Sequence, residues 1–127
     1  MPPLSQPSFP KYEQIVRPLL AELLRRGGQS GVSEPDSSGR TIMDVLADHF
    51  NLSEESRQFL IYEANGTPRS KWYNMVRWAR NELCKRKLVD GSEYGVWRLT
   101  AAGTQEAQRA APSPGRQVVR RRPRGWI

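Results

Sequence analysis

The chain has 127 residues, a formal charge of +7, 26% charged residues and one cysteine. That length allows one domain with one modest core, and no apolar run approaches the roughly 20 residues of a membrane span. Cys84 alone excludes an internal disulfide and a cysteine-rich zinc site, so a reducing, intracellular setting and a soluble protein are expected.

The opening MPPLSQPSFP has neither the basic n-region nor the apolar h-region of a secretory signal. Residues 1 to 9 are rich in Pro and Ser and predict a flexible N-terminus. Tyr12, Ile15, Val16, Leu19, Leu20, Leu23 and Leu24 then recur at helical spacing and predict an amphipathic helix ending at Gly27-Gly28. Pro18 lies inside it, removes a backbone donor, and should kink the helix or hold it to a first turn. The stretch GGQSGVSEPDSSG, 27 to 39, has turn and linker chemistry and no apolar period.

Thr41 followed by Asp44 predicts a capping box at the start of a second helix, with Ile42, Val45, Leu46 and Phe50 as its buried face. Ser53 ahead of Glu54 and Glu55 marks a third helix N-terminus. Phe59, Leu60 and Tyr62 are read as that helix's apolar side, and Asn65-Gly66 as its end. Thr67-Pro68 then reads as an N-cap with Pro at the first position of a long basic helix, TPRSKWYNMVRWARNELCKRKLV. In VDGSEYGVWRLT, 89 to 100, Asp90-Gly91 is a turn signal beside the strand formers Tyr94, Val96, Trp97 and Leu99, which predicts a β-hairpin with Ser92, Glu93 and Tyr94 at its tip. Thr100 caps a last short helix, AAGTQEAQ, and the Pro, Gly and Arg that follow predict a disordered Arg-rich tail over 109 to 127. The expected fold is α+β, a winged helix-turn-helix of three to four helices plus a β-hairpin wing over 10 to 108, between flexible termini.

Charge is unevenly distributed along this order. Residues 34 to 63 carry seven acids against Arg40 and Arg57, whereas 67 to 89 carry seven Lys or Arg against Glu82. The last 19 residues add six Arg and no acid. A one-sided basic stripe is the usual footprint of a nucleic-acid binder, although a merely solvated basic helix has the same composition.

At about 100° per residue, Trp72, Val76, Ala79 and Leu83 form one stripe of the basic helix, read as core. The opposite side presents Ser70, Asn74, Arg77, Asn81 and Lys85, with Lys71 and Trp78 on its shoulder. Asn pairs bidentately with adenine and Arg with guanine, so Asn74, Arg77 and Asn81 are the candidate base readers. Ser70, Lys71 and Lys85 suit phosphates, and Arg98 on the hairpin suits the flanking backbone. The bland readings are exposed polar residues for the two Asn, and, for Lys85, Arg86 and Lys87, cations that offset the helix dipole. Trp78 is expected to pack, against the hairpin, and Glu93 is an awkward charge beside a phosphate. In the tail, Arg120, Arg121, Arg122 and Arg124 are candidates for nonspecific DNA contact.

Taken together, YEQIVRPLLAELL (12 to 24), TIMDVLADHFNLSEESRQFL (41 to 60), YNMVRWARNEL (73 to 83) and GVWRLTAAG (95 to 103) resemble the N-terminal winged-helix domain of Mrr-type restriction proteins. The shared pattern is N-x-x-x-W-A, here Asn74, Trp78 and Ala79, while Met75 and Arg77 replace the family's usual Arg and Gly. The resemblance implies double-stranded DNA, methylated or not, as the partner, in restriction of foreign DNA in the cytoplasm of a prokaryote, at its nucleoid. It also implies a PD-(D/E)xK nuclease supplied by another domain or partner. No E-x-K or Q-x-K run occurs in this chain, so no such nuclease is expected within it. His49 is the only histidine, Cys84 has no histidine near it in sequence, and no Walker or GxGxxG loop is present. No enzyme, metal, cofactor or membrane association is expected. Two alternatives stay open: a small transcriptional regulator acting as a homodimer on a palindrome, and an interaction module that docks protein on the acidic 34 to 63 surface.

Overall fold

The structure is a computed structural model that describes residues 8–110. Expectations for residues 1 to 7 and for the tail from 111 onward, including Arg120, Arg121, Arg122 and Arg124, lie outside the described residues. Within them the fold is α+β, with five helices and two small antiparallel sheets.

Helix α1 spans Tyr12–Arg25 and buries Ile15, Val16, Leu19, Leu20 and Leu23. It continues through Pro18 to Arg25, so the proline does not hold it to a first turn. An interior proline costs about 3 kcal/mol, but the flanking apolar side chains are worth about 1.5–3 kcal/mol each when buried. Packing therefore overrides the missing donor. Gly27 and Gly28 end the helix with φ of 91° and 102°, and the Gly28 N–H returns to the Leu23 carbonyl at 2.8 Å.

The segment expected to be a linker is ordered. Gln29–Gly31 form strand β1, and the loop beyond it is tied back to α1. Arg26 donates to Glu22 at 2.6 Å and to the carbonyls of Glu34 and Arg40 at 2.9 and 2.7 Å. Glu22 and Arg26 are both buried, and Arg25 bridges Glu22 and Asp36. A buried pair of this kind stays favourable only when its remaining hydrogen bonds are made, and here the loop backbone makes them.

Helix α2, Ile42–His49, starts at the expected capping box: the Asp44 N–H donates to Thr41 Oγ1 at 3.3 Å and the Thr41 N–H to the Asp44 carboxylate at 3.1 Å. Helix α3, Glu54–Gln58, is capped by Ser53 as expected but is shorter. Leu60–Tyr62 is not its apolar side; it forms strand β2, paired with β3, Pro68–Ser70. Thr67-Pro68 therefore lies in a hairpin, and helix α4, Lys71–Lys85, starts three residues later than expected with Ser70 as its cap. The physical reason is Asn65-Gly66 between Phe59–Tyr62 and Thr67, which is hairpin turn chemistry between strand formers. Gly66 adopts φ 86° there, and the Glu63 N–H reaches the Thr67 carbonyl at 3.0 Å.

After α4 come β4, Val89–Asp90, and β5, Val96–Leu99, the expected hairpin. Strand β1 adds to its other side, giving the order β1-β5-β4 with Gln29 opposite Arg98 and Ser30 opposite Trp97. Helix α5, Ala101–Ala110, closes on α1, with Thr100 Oγ1 accepting from the Gly103 N–H. One core lies where α1, α2, α4 and the three-stranded sheet meet, built on Leu19, Leu23, Leu46, Val76, Leu83 and Trp97. Among the described residues no helix is long and apolar enough to cross a membrane.

Candidate nucleic-acid interface

Helix α4 is fixed by its buried side. Trp72, Val76, Ala79 and Leu83 are its buried residues, the stripe expected from spacing. The Trp72 indole N–H donates to the Met43 carbonyl at 3.0 Å, and its ring meets Phe50 edge-on at 6.1 Å. These contacts set the rotation of α4 about its axis and so decide which side chains face outward.

The outward row contains Asn74, Trp78, Asn81 and Lys85. Neither Asn amide makes a hydrogen bond to another described residue, so both keep their donors and acceptors for a partner. Lys85 is exposed and lies 3.7 Å from Glu82, which also accepts from Arg86. Trp78 does not pack on the hairpin as expected: it is 56% exposed. The core stripe occupies the opposite face of α4, and the hairpin packs beside that stripe, so the Trp78 ring has no apolar surface to cover it.

The two ends of the interface differ. At the N-terminal end, Ser70 Oγ accepts from the Tyr73 N–H at 3.1 Å and so caps α4, keeping its own hydroxyl proton to donate. Lys71 is half-buried, its ammonium 5.1 Å from the Phe9 ring. Arg77 lies along the side of α4 nearer the hairpin, 6.0 Å over Tyr73. Arg98 is engaged within the sheet: its Nε donates to Gln29 at 2.7 Å and its Nη2 to Glu93 at 3.1 Å. Trp97 and Arg98 alternate across β5, so the structure does not bring Arg98 onto the face that carries Trp97 and α4. The same contact neutralises Glu93 at the hairpin tip.

Between α4, the loop after β1 and the β4–β5 turn lies an open cavity of about 660 Å³. Arg69, Arg77 and Arg80 reach it together with Tyr73, Tyr94 and Trp97. Arg69 is ion-paired with Glu63. Arg80 lies 5.4 Å over the Trp97 ring, and its Nε is buried with no hydrogen-bond partner. The turn is held from its base, where Asp90 accepts from the Ser92 N–H at 2.9 Å, a bond that keeps the Asp90 carboxyl below its ordinary pKa. Among the described residues no group of three or more His, Cys, Asp or Glu is placed to hold a metal ion.

A family model described as the Mrr N-terminal domain matches residues 12–109. The chain belongs to that family. The match opens on the first residue of α1 and closes in the last turn of α5, so this Mrr N-terminal domain includes both sheets and the whole cavity wall. No match is found among curated proteins or among solved structures.

Sequence reasoning missed one residue of the outward row and three that line the cavity. Trp78 is expected to pack and Tyr94 to form the hairpin without a binding role, and Arg69 and Arg80 carry no role in that reading. Arg69 was legible only through the Asn65-Gly66 hairpin signal, which makes it a strand residue beside α4 rather than part of its first turn. Arg80 and Tyr94 carry no local signal, since their meeting depends on how the hairpin folds over the helix.

Proposed function

We propose that this Mrr N-terminal domain is a winged helix that binds double-stranded DNA, with α4 in the major groove and the β4–β5 turn beside it. Four helices that precede the β4–β5 hairpin, with α4 directly before it and β1 completing its sheet, support that fold. The observation that carries the DNA reading is the outward row of α4. Asn74 and Asn81 stand on it without internal hydrogen bonds, next to a basic flank and an uncovered Trp78.

In this reading Asn74, Asn81 and Arg77 meet base edges, and Trp78 makes apolar contact with bases or thymine methyls. Ser70 and Lys71 at the N-terminus of α4 and Lys85 at its C-terminus meet phosphates. Arg98 contributes by holding the wing through Gln29 and Glu93. The Arg-rich tail adds nonspecific grip. The domain has no catalysis of its own and delivers a nuclease held by another domain or chain, in a restriction system of the prokaryotic cytoplasm.

A mobility-shift assay on random, methylated and unmethylated duplexes tests this. Wild type should bind at low salt, and Asn74→Ala with Arg77→Ala should weaken binding to the preferred duplex by about 1–3 kcal/mol per lost base contact. Absence of binding to every duplex at low salt would overturn the proposal and leave the protein-docking reading.

A further inference from the structure

The geometry points to the cavity between α4 and the β4–β5 turn as a receptor for a single unstacked nucleotide. The inference rests on the DNA reading above for the source of that nucleotide, but the cavity carries its own chemistry.

Its charge is the first indication. Arg77 and Arg80 make no ion pair with any described residue, although both line the same cavity. Arg80 is the more telling: it is half-buried, its Nε has no partner, and its guanidinium is held in place over Trp97. A buried donor left unpaired costs roughly 1–3 kcal/mol, and two adjacent guanidinium groups repel, so an anion between them is the natural complement. The one carboxylate at the rim, Glu34, is engaged with the Gly31 N–H at 3.0 Å, and the cavity keeps an excess of positive charge.

The cavity has more room than a bare phosphate fills. The volume of about 660 Å³ lies in the range of small-molecule sites, roughly 300–1,000 Å³. The space is kept open by glycine. A β-carbon at Gly91 would stand 2.8 Å from Arg80 Nη1, so any other residue there would displace the guanidinium. At the turn, Tyr94 is fully exposed, a large ring with nothing packed on it. Cations inside and a free aromatic face at the mouth match a phosphate joined to a base, and base–aromatic stacking is worth about 1–3 kcal/mol.

Arg77 borders both the cavity and the outward row of α4, so a nucleotide leaving a duplex seated on α4 passes directly to it. Extruding a paired base costs a few kcal/mol and least at a mismatch. The two sources of the same ligand are thus a strand of bound DNA and a free mononucleotide.

The test uses the full chain, wild type and the variants Tyr94→Ala and Arg80→Gln, with thermal melts as a folding control. Each is titrated with a matched duplex, with the same duplex carrying 2-aminopurine in a mismatch, and with a deoxynucleoside monophosphate. Expected for wild type is at least about fivefold tighter binding of the mismatched duplex, together with a rise in 2-aminopurine emission as the base unstacks. Both variants should lose the preference and the emission rise, while binding the matched duplex within about twofold of wild type. Mononucleotide binding lost in both variants, without a duplex preference, would assign the cavity to a free nucleotide. Matched-duplex binding with no preference, no emission change and no mononucleotide binding would overturn the cavity proposal alone. Failure to bind any of the three ligands would overturn both it and the DNA reading.

Discussion

Gly103 lies so close to the backbone of Leu88 that a β-carbon on it would stand 1.8 Å from the Leu88 carbonyl oxygen. That carbonyl also accepts from the Thr100 N–H at 3.1 Å, and Thr100 Oγ1 donates to the Lys87 carbonyl at 2.7 Å. The start of α5 is thereby pinned to the chain reversal between α4 and β4. Backbone cannot retreat as a flexible side chain can, so Gly103→Ala should destabilise the domain by about 3 kcal/mol or more. Denaturant unfolding would show it as a lower midpoint, and a change under about 0.5 kcal/mol would mean that α5 is free to lift away.

The loop after β1 makes stability acid-sensitive. The Asp36 carboxylate accepts from the Ser38 hydroxyl, from the Arg40 N–H and from Arg25, which together hold its pKa well below the ordinary carboxylate value. Asp48 is lowered in the same sense by Arg57 and then Arg40. A depressed folded pKa gives stability that is complete above the unfolded value of about 4 and is lost as pH falls towards the folded value. Melting temperatures should therefore drop between about pH 5 and about pH 2, and Asp36→Asn should reduce that slope. An identical slope in the variant would remove Asp36 from the account.

Trp78 separates surface from core. With its ring uncovered, Trp78→Ala should change stability by no more than about 0.5 kcal/mol, while weakening DNA binding by roughly tenfold, the loss of about 1–2 kcal/mol of base contact. Fluorescence anisotropy and a thermal melt on the same variant check both halves. A large fall in melting temperature with unchanged affinity would show a packed tryptophan.

The opposite pattern is expected at Arg98. Arg98→Ala removes its contacts to Gln29 and Glu93 and should cost about 1 kcal/mol of stability, with duplex affinity kept within about twofold. A clear loss of affinity at unchanged stability would instead place Arg98 on the DNA backbone.

Salt dependence reports on the tail. Each phosphate neutralised on duplex DNA contributes about −0.9 to the slope of log K against log salt. Removing residues 111 to 127 should make that slope shallower by up to about 3–4 if Arg120, Arg121, Arg122 and Arg124 all engage, with sequence preference unchanged. An unaltered slope would show that these arginines do not touch DNA.

What could be read from the sequence was local. The Thr41–Asp44 box, the Ser53 cap, the Trp72 to Leu83 stripe and the Asp90-Gly91 turn each depend on residues within a few positions of one another. Pro18 does not end the helix early because its cost is local while the burial of Leu19, Leu20 and Leu23 that outweighs it is tertiary. Gln29–Gly31 has no apolar pattern and is a strand only because β5 offers it a ladder. Leu60 and Tyr62 were placed on a helix face since a three-residue strand is too short to display a period. In the candidate interface, the polar row of α4 followed from angular position alone. The partnering of Arg98 with Gln29 did not, because those residues are 69 positions apart.

That separation also dictates an order of assembly. Helix α4 closes its own hydrogen bonds and buries its stripe foremost against α1, whereas β1 waits for β5, and the turn that roofs the cavity is anchored when the Val32 N–H reaches the Gly95 carbonyl. Bringing such distant segments together is the slow, entropically costly part of folding. On an emerging chain the helix would therefore be formed, with its Asn74–Asn81 row exposed, before the hairpin beside it. A chain stopped short of Val96 would lack both the cavity wall at Trp97 and the Trp97, Leu99 and Ala107 part of the core beneath α4.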